Sequence, residues 1–226
     1  MTHIKGGTPD EGHPHHTPNE AVLNPPSPSK KRLGRRPSVS CFLTQTPLNE
    51  AKDNLIRFVK APDGLFIPDL KQKLPAQEEI HLKADVATIE RAFDEGLFKH
   101  CAYSSAQELC EHLVSLLETL FYQHISLSRR SGDVVFGYEK MQELVKKNKA
   151  LFVLTTDRKT SKNIPSSLST DNFKLFGDAE RYGQIFARER VVYITFIKQH
   201  FIKDIKNLIN RMEHLRIPSN HAIPQD

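Results

Sequence analysis

The hydrophobic positions of this 226-residue chain follow helical spacing most clearly between Ser105 and Ser128. Apolar residues recur there every three or four positions, which predicts one long amphipathic helix. They are Leu109, Leu113, Leu116, Leu117, Leu120, Phe121 and Ile125. Ser104 or Ser105 suits the start of this helix, because a serine hydroxyl accepts a hydrogen bond from a free backbone N–H group. The repeat is too short for a coiled coil, so we interpret the stripe as core.

Shorter patterns before this helix predict a small α+β unit over residues 37–103. An apolar segment at residues 55–60 precedes Pro62-Asp63-Gly64, a sequence typical of tight turns. The residues Leu65–Ile67 then predict a short strand that ends at Pro68. The segment Ala84–Leu97 has helical spacing, and Gly96 favours a helix end. We expect two strands with a helix across them.

After the long helix, predicted helices alternate with predicted strands. The helices are Gly137–Lys147, Asp178–Ala187 and Gln199–Arg211, and the strands are Leu151–Thr155, Phe173–Phe176 and Val191–Ile197. Such alternation predicts a parallel or mixed sheet with helices on both faces. The expected fold class is therefore α/β, with the small α+β domain followed by a three-layer α/β/α sandwich over residues 104–226.

The first 36 residues differ in composition from the rest of the chain. They hold six prolines and four histidines with little apolar periodicity, which predicts a disordered basic tail. The cluster of His13, His15 and His16 lies in this tail without a nearby cysteine, and such clusters are usually incidental, so we expect no metal and no cofactor. A basic run over residues 30–36 suits either phosphate contact or a solvated linker.

Cysteine usage and hydropathy favour a cytoplasmic protein. The three cysteines, Cys41, Cys101 and Cys110, do not form a C-x-x-C motif or an even set for disulfides. No apolar run is long enough for a membrane span, and the N-terminal residues lack the apolar core of a signal peptide.

The formal charge is divided unevenly along the chain. Residues 1–36 carry 6 Lys or Arg against 3 Asp or Glu, residues 37–126 carry 8 against 13, and residues 127–226 carry 18 against 11. Local positive potential attracts polyanions, so a nucleic-acid surface is expected in the C-terminal half. Catalytic motifs such as G-x-S-x-G, H-E-x-x-H or a Gly-rich phosphate loop are missing from the sequence, which argues against an enzyme.

Short motifs in the first unit resemble the YlxR-like family of small bacterial RNA-binding proteins. They are Cys41-Phe42-Leu43-Thr44, Leu55 to Val59, Pro62-Asp63-Gly64, Ile67 to Leu70 and Leu74-Pro75. That family continues from Leu-Pro into a basic Gly-Arg-Gly turn, whereas this chain has Ala76, Gln77, Glu78 and Glu79. A later Phe-x-Arg-x-Phe element of the family corresponds here to residues 98–102, Phe-Lys-His-Cys-Ala, so its arginine is lost as well. Because acidic side chains repel phosphate, the first unit is expected to bind RNA weakly, and its acidic surface is a possible protein contact.

The second unit resembles the YlxQ branch of the ribosomal-protein superfamily that binds kink-turn RNA. The resemblance rests on Arg130-Ser131-Gly132, Val135 to Lys140, Leu151 to Leu154 with Asp157, and Phe176-Gly177 through Tyr182-Gly183 to Arg188-Glu189. The order of the two units is similar to that of fused alphaproteobacterial YlxR-YlxQ proteins. In the superfamily, a helix after the motif glycine begins with Asn-Glu and carries a Lys one turn later. Here Glu139, Lys140 and Glu143 occupy those positions, so RNA binding is implied more strongly than kink-turn recognition.

The expected RNA-binding residues combine the implied helix entry with nearby basic residues. They are Arg129, Arg130, Gly137, Tyr138, Lys140, Arg158, Lys159, Lys162, Arg181 and Arg188. We expect a non-enzymatic protein that binds structured RNA, such as ribosomal or ribonuclease P RNA, in translation or ribosome maturation. Two alternatives are a protein-binding adaptor whose RNA surfaces have decayed and a DNA-binding nucleoid regulator, since charge alone does not distinguish DNA from RNA.

Overall fold

A computed structural model describes residues 40–45, 54–99, 102–157, 159, 162 and 164–216. The predicted tail over residues 1–36, Cys101 and Arg158 lie outside these ranges. Within them, every helix is too short or too polar to cross a lipid bilayer.

The first sheet contains three antiparallel strands in the order β2-β1-β3, namely β1 (Leu55–Lys60), β2 (Phe66–Pro68) and β3 (Glu79–Lys83). The predicted turn joins β1 to β2, with Gly64 at a φ of +87° that favours glycine. The third strand was not predicted, because only Ile80 and Leu82 are buried in this short segment. Its pairing with β1 over five residue positions supplies the backbone hydrogen bonds that define it.

Two helices follow the first sheet, α1 (Val86–Asp94) and α2 (Ala106–Arg130). The predicted cap of α2 is confirmed at Ser105, whose side chain accepts from the backbone N–H of Glu108 at 3.2 Å. The predicted apolar stripe is buried in α2, with two exceptions. Leu116 and Leu120 are only partly buried and lie beside a surface groove.

The second sheet is mixed, as predicted, and has the strand order β4-β7-β5-β6. Its strands are β4 (Val134–Phe136), β5 (Phe152–Thr155), β6 (Phe173–Leu175) and β7 (Tyr193–Phe196). In the described part of this sheet, β5 and β6 are the one parallel pair, and the other two pairs are antiparallel. The prediction missed the three-residue β4. The connecting helices are α3 (Tyr138–Lys146), α4 (Ala179–Phe186) and α5 (Ile202–Leu215).

Alternate residues of β5 and β7 face two different hydrophobic clusters. Phe152, Leu154 and Ile194 join the main core with residues of α2, α4 and α5. Val153 and Tyr193 instead pack with Met141 and Val145 of α3. Helices therefore cover both faces of the second sheet, and the chain belongs to the α/β class.

The main hydrophobic core extends across the predicted domain boundary at residues 103/104. Its buried members run from Ile56 in the first sheet to Leu215 in α5, and the partly buried Tyr103 packs against it. Asn210 of α5 also donates from Nδ2 to Oδ1 of Asn54 at 3.4 Å. The division into two domains at this boundary remains a prediction.

Candidate nucleic-acid interface

The entry to α3 is shaped by Gly137, which directly follows β4. Its φ of +101° is a conformation that residues with a Cβ rarely adopt. The backbone N–H of Gly137 donates to the carbonyl of Tyr193 at 3.0 Å, so the turn is attached to β7. Among the described residues, no side chain caps this helix start, and its first backbone N–H groups have the orientation that favours an anion.

Three of the predicted cations meet at two aromatic rings beside this turn. The Nζ of Lys140 lies 5.8 Å from the centre of the Phe136 ring, and the guanidinium of Arg188 lies 5.9 Å from it. The rings of Phe136 and Phe186 are 4.8 Å apart, and the guanidinium of Arg129 lies 5.8 Å from the Phe186 ring. These five residues, Arg129, Phe136, Lys140, Phe186 and Arg188, are called the cation–aromatic cluster below.

The end of α4 positions two arginines of the cation–aromatic cluster. Arg129 donates from Nη1 to the carbonyl of Ile185. Ala187 adopts a left-handed conformation that ends the helix, and the N–H of Arg188 donates back to the carbonyl of Gly183 at 2.9 Å. A Cβ on Gly183 would lie only 2.5 Å from the carbonyl oxygen of Glu189, so glycine permits this close packing. The backbone thus holds Arg188 near Phe136.

Tyr138 presents an aromatic surface next to the cluster. It is 40% exposed, although its ring packs 5.5 Å from that of Tyr193. Its hydroxyl accepts a hydrogen bond from Gln142 one helical turn later. The ring is therefore oriented by the protein while much of its surface remains accessible.

The three cations of the cluster have no carboxylate partner among the residues that the structure describes. Within the described part of the chain, Arg129, Lys140 and Arg188 form no ion pair, whereas Lys147 is paired with Glu143 at 2.5 Å. That hydrogen bond from Lys147 lowers the pKa of Glu143, with Lys140 and Lys149 adding favourable charge. Glu139 is an exposed acidic residue in the first turn of α3. The three cations can therefore contact an external anion, whereas the negative charge of Glu139 would repel it.

The remaining predicted cations lie away from this cluster or outside the described residues. Arg181 is paired with Glu118 at 3.1 Å and lies 4.8 Å from the Tyr122 ring, between α2 and α4. Arg130 is exposed at the end of α2, and Lys159 and Lys162 are exposed after β5. Among the described residues, neither of these lysines forms an ion pair or lies over an aromatic ring. Arg158 lies outside the described ranges.

Two phenylalanines that the sequence patterns did not single out as site residues bring the cations together. Phe136 directly precedes Gly137, and Phe186 is the last residue of α4. Each is followed by a residue with positive φ, so both rings lie at points where the chain changes direction. An aromatic residue before such a turn, with basic residues nearby in sequence, was the available signal.

A buried carboxylate stabilises the turn that precedes β4. Asp133 accepts from Lys198 Nζ at 3.0 Å and lies 3.2 Å from His200 Nδ1. The hydrogen bond from Lys198 lowers the pKa of Asp133, against the opposing effect of burial. Among the described residues, no group of three or more His, Cys, Asp or Glu side chains has an arrangement that suits a metal ion.

No protein-family model matches the chain, and no curated protein matches it significantly. Solved structures that match include a protein of unknown function from Bacillus halodurans. It is 17% identical to this chain, with a TM-score of 0.36, and the match covers 40% of this chain and 96% of that one.

Proposed function

We propose that this chain is a non-enzymatic, cytoplasmic bacterial protein that binds structured RNA through the cation–aromatic cluster and the entry to α3. In this proposal, residues 37–103 form a YlxR-like α+β domain, and residues 104–226 form a YlxQ-like three-layer α/β/α domain. The mixed sheet with helices on both faces supports the second assignment. The RNA acts in translation, ribosome maturation or ribonuclease P function.

The observation that carries the proposal is the convergence of unpaired cations on an aromatic surface. Arg129, Lys140 and Arg188 come from three separate segments and surround the Phe136 and Phe186 rings. None of the three forms an ion pair with a carboxylate among the described residues. Phosphates are bound by such cations, and splayed bases stack on exposed aromatic rings. Tyr138 supplies an exposed ring beside them.

RNA is favoured over duplex DNA by the shape of the basic surface. The cations are gathered around a helix entry and two rings instead of lying along one helix that would enter a major groove. Aromatic stacking recognises unpaired bases, which are common in loops and bulges of structured RNA. A DNA duplex of the same length as the bound RNA is therefore the competitor that tests this preference.

The test begins with crosslinking in bacterial cells that express the full chain, followed by sequencing of the bound RNA. The recovered RNA is then used to measure affinity as a function of salt for Arg129→Ala, Lys140→Ala and Arg188→Ala combined. A matched variant changes Lys99, Lys146 and Lys149, which are exposed and are not in the cluster. The cluster variant should lose affinity, and its slope of log affinity against log salt should fall by roughly 2 to 3 units.

The control variant should retain most of its affinity and slope. Equal losses in the two triple variants would mean diffuse attraction to a basic surface, which contradicts a defined site. Recovery of protein partners without RNA would favour the adaptor alternative. Equal competition by the DNA duplex would contradict RNA specificity.

A further inference from the structure

A surface groove lies between the turn after β2 and helix α2. Its volume is about 330 Å³, and its apolar lining is contributed by Pro68, Leu70, Leu74, Leu116 and Leu120. Leu74 is 40% exposed and also lines a neighbouring depression with Val59 and Ile67. The two partly buried leucines of the α2 stripe are thus accessible from solvent through this groove.

The turn after β2 forms one side of the groove, and hydrogen bonds hold this turn in place before any partner binds. The backbone N–H groups of Lys73 and Leu74 donate to the carboxylate of Asp69 at 3.2 and 3.0 Å. Arg57 donates to Asp69 Oδ2 at 2.5 Å and to the carbonyl of Leu74 at 3.2 Å. A preorganised groove favours binding, because less conformational freedom is lost when the partner docks.

The charge at the groove is positive, although residues 37–126 as a whole are acidic. Lys71 and Lys73 line the groove, are exposed, and form no ion pair with any residue in the described ranges. Asp69 is the single carboxylate among the described residues of the lining, and it is neutralised by Arg57. Acidic side chains of a partner are therefore attracted to the groove.

The lining favours a peptide over a nucleic acid. Its described residues include leucines and a proline but no aromatic ring, and so offer no surface on which a base would stack. Buried leucines and flanking charges are the features of grooves that bind amphipathic protein segments.

We propose that this groove docks a short segment of a partner protein that presents adjacent apolar side chains flanked by Asp or Glu. This site is separate from the cation–aromatic cluster and does not depend on RNA binding. Peptide binding at this groove would give the first sheet a function that does not depend on the arginines of the YlxR-like pattern, which this chain lacks.

The test selects binders to the full chain from a phage-displayed library of random short peptides. The most enriched peptide is then labelled, and its affinity is measured by fluorescence anisotropy. The enriched sequences should combine Leu, Ile or Phe with Asp or Glu. Leu116→Glu should weaken binding by at least about tenfold, the effect expected for a central contact. Leu127→Glu is the matched control, because Leu127 is an exposed leucine on the same helix that does not line the groove.

A second pair of variants tests the charge without altering the apolar lining. Lys71→Glu with Lys73→Glu should also weaken the peptide by at least about tenfold, whereas Lys146→Glu with Lys149→Glu should change it little. The proposal is overturned if no peptide is enriched, if the enriched peptides lack acidic residues, or if Leu116→Glu and Leu127→Glu have equal effects. It is also overturned if the Lys71 and Lys73 changes weaken RNA binding but not peptide binding. Failure of the RNA experiments leaves the peptide outcomes unchanged, since the peptide assays contain no RNA.

Discussion

Arg57 and Asp69 form an ion pair with an Nη1 to Oδ2 distance of 2.5 Å, and their side chains are only 12% and 4% exposed. Arg57 lies in the middle strand of the first sheet, and Asp69 lies just after β2. The pair connects the sheet to the turn whose backbone N–H groups donate to Asp69. Arg57 is a charged residue in an otherwise largely apolar strand segment, and Asp69 supplies its buried ion-pair partner.

Replacement of Asp69 by Ala should destabilise the protein by about 2–3 kcal/mol, because it removes the buried carboxylate that accepts from Arg57 and from two backbone N–H groups, while Arg57 keeps its pair with the partly exposed Glu79. The matched control is Glu78→Ala, which removes an exposed pair with Lys60 and should cost less than about 1 kcal/mol. The free energy of unfolding is measured for both variants in urea. A similarly small loss of unfolding free energy in both variants would show that Arg57 and Asp69 do not form a stabilising buried pair in solution.

Much of the fold was predictable because its longer elements bury regular apolar patterns. The seven-residue stripe in α2 and the buried run in β5 both predicted the observed element. The five-residue β3 and the three-residue β4 were missed because their identity depends on pairing with β1 and β7, which are distant in sequence. The end of α5 was placed too early, since Met212 and Leu215 are buried by tertiary packing.

The candidate site was only partly predictable for a related reason. Charge and resemblance selected Arg129, Lys140 and Arg188, but equally selected Arg181. Its pairing with Glu118 depends on the packing of α4 against α2, which no local pattern specifies. Phe186 was missed because a phenylalanine at a helix end usually indicates core.

The acid stability of the protein should depend on Asp133. Its pKa is lowered in the folded state, chiefly by the hydrogen bond from Lys198, so the ionised carboxylate favours folding. This contribution is present above the unfolded pKa of about 3.9 and is lost as the pH falls through the lower folded pKa. In the Asp133→Asn variant, the free energy of unfolding should therefore vary less between about pH 5 and pH 2 than in the natural chain.

Unfolding by urea at a series of pH values measures this difference. Asp94→Asn is the control, because Asp94 is an exposed carboxylate at the end of α1. It should retain the full pH dependence of the natural chain. Parallel curves for the natural chain and Asp133→Asn would show that Lys198 does not stabilise the ionised form.

The exposed ring of Tyr138 should contribute to RNA affinity by stacking on an unpaired base. Tyr138→Ala should weaken binding by about 1–3 kcal/mol, the range measured for base–aromatic stacking. Tyr138→Phe should remain close to the natural affinity, because it keeps the ring and loses only the hydroxyl contact with Gln142. Affinities are compared by titration of the crosslinked RNA. Equal losses in the two variants would assign the effect to the hydroxyl and would contradict stacking.

Restoring the superfamily residues at the entry to α3 should increase affinity for kink-turn RNA. The change is Glu139→Asn combined with Glu143→Lys, on the exposed side of the helix that carries Lys140. Glu139 places a negative charge in the first turn, and Glu143 holds Lys147 in an ion pair. The double variant removes both acidic groups, adds a cation and releases Lys147, and each step favours phosphate.

A charge-matched variant, Glu90→Asn with Glu111→Lys, separates this local effect from general attraction, because both glutamates are exposed on other helices. Binding is measured to a kink-turn RNA and to a regular RNA duplex of the same length. The α3 variant should gain affinity for the kink-turn RNA beyond any gain for the duplex, since only the bent RNA exposes splayed bases to the Tyr138 ring and to the amide introduced by Glu139→Asn. The charge-matched variant should improve both RNAs equally and modestly. If the α3 variant also improves both equally, the helix entry contacts RNA through charge alone, and the kink-turn geometry implied by the resemblance does not apply to this chain.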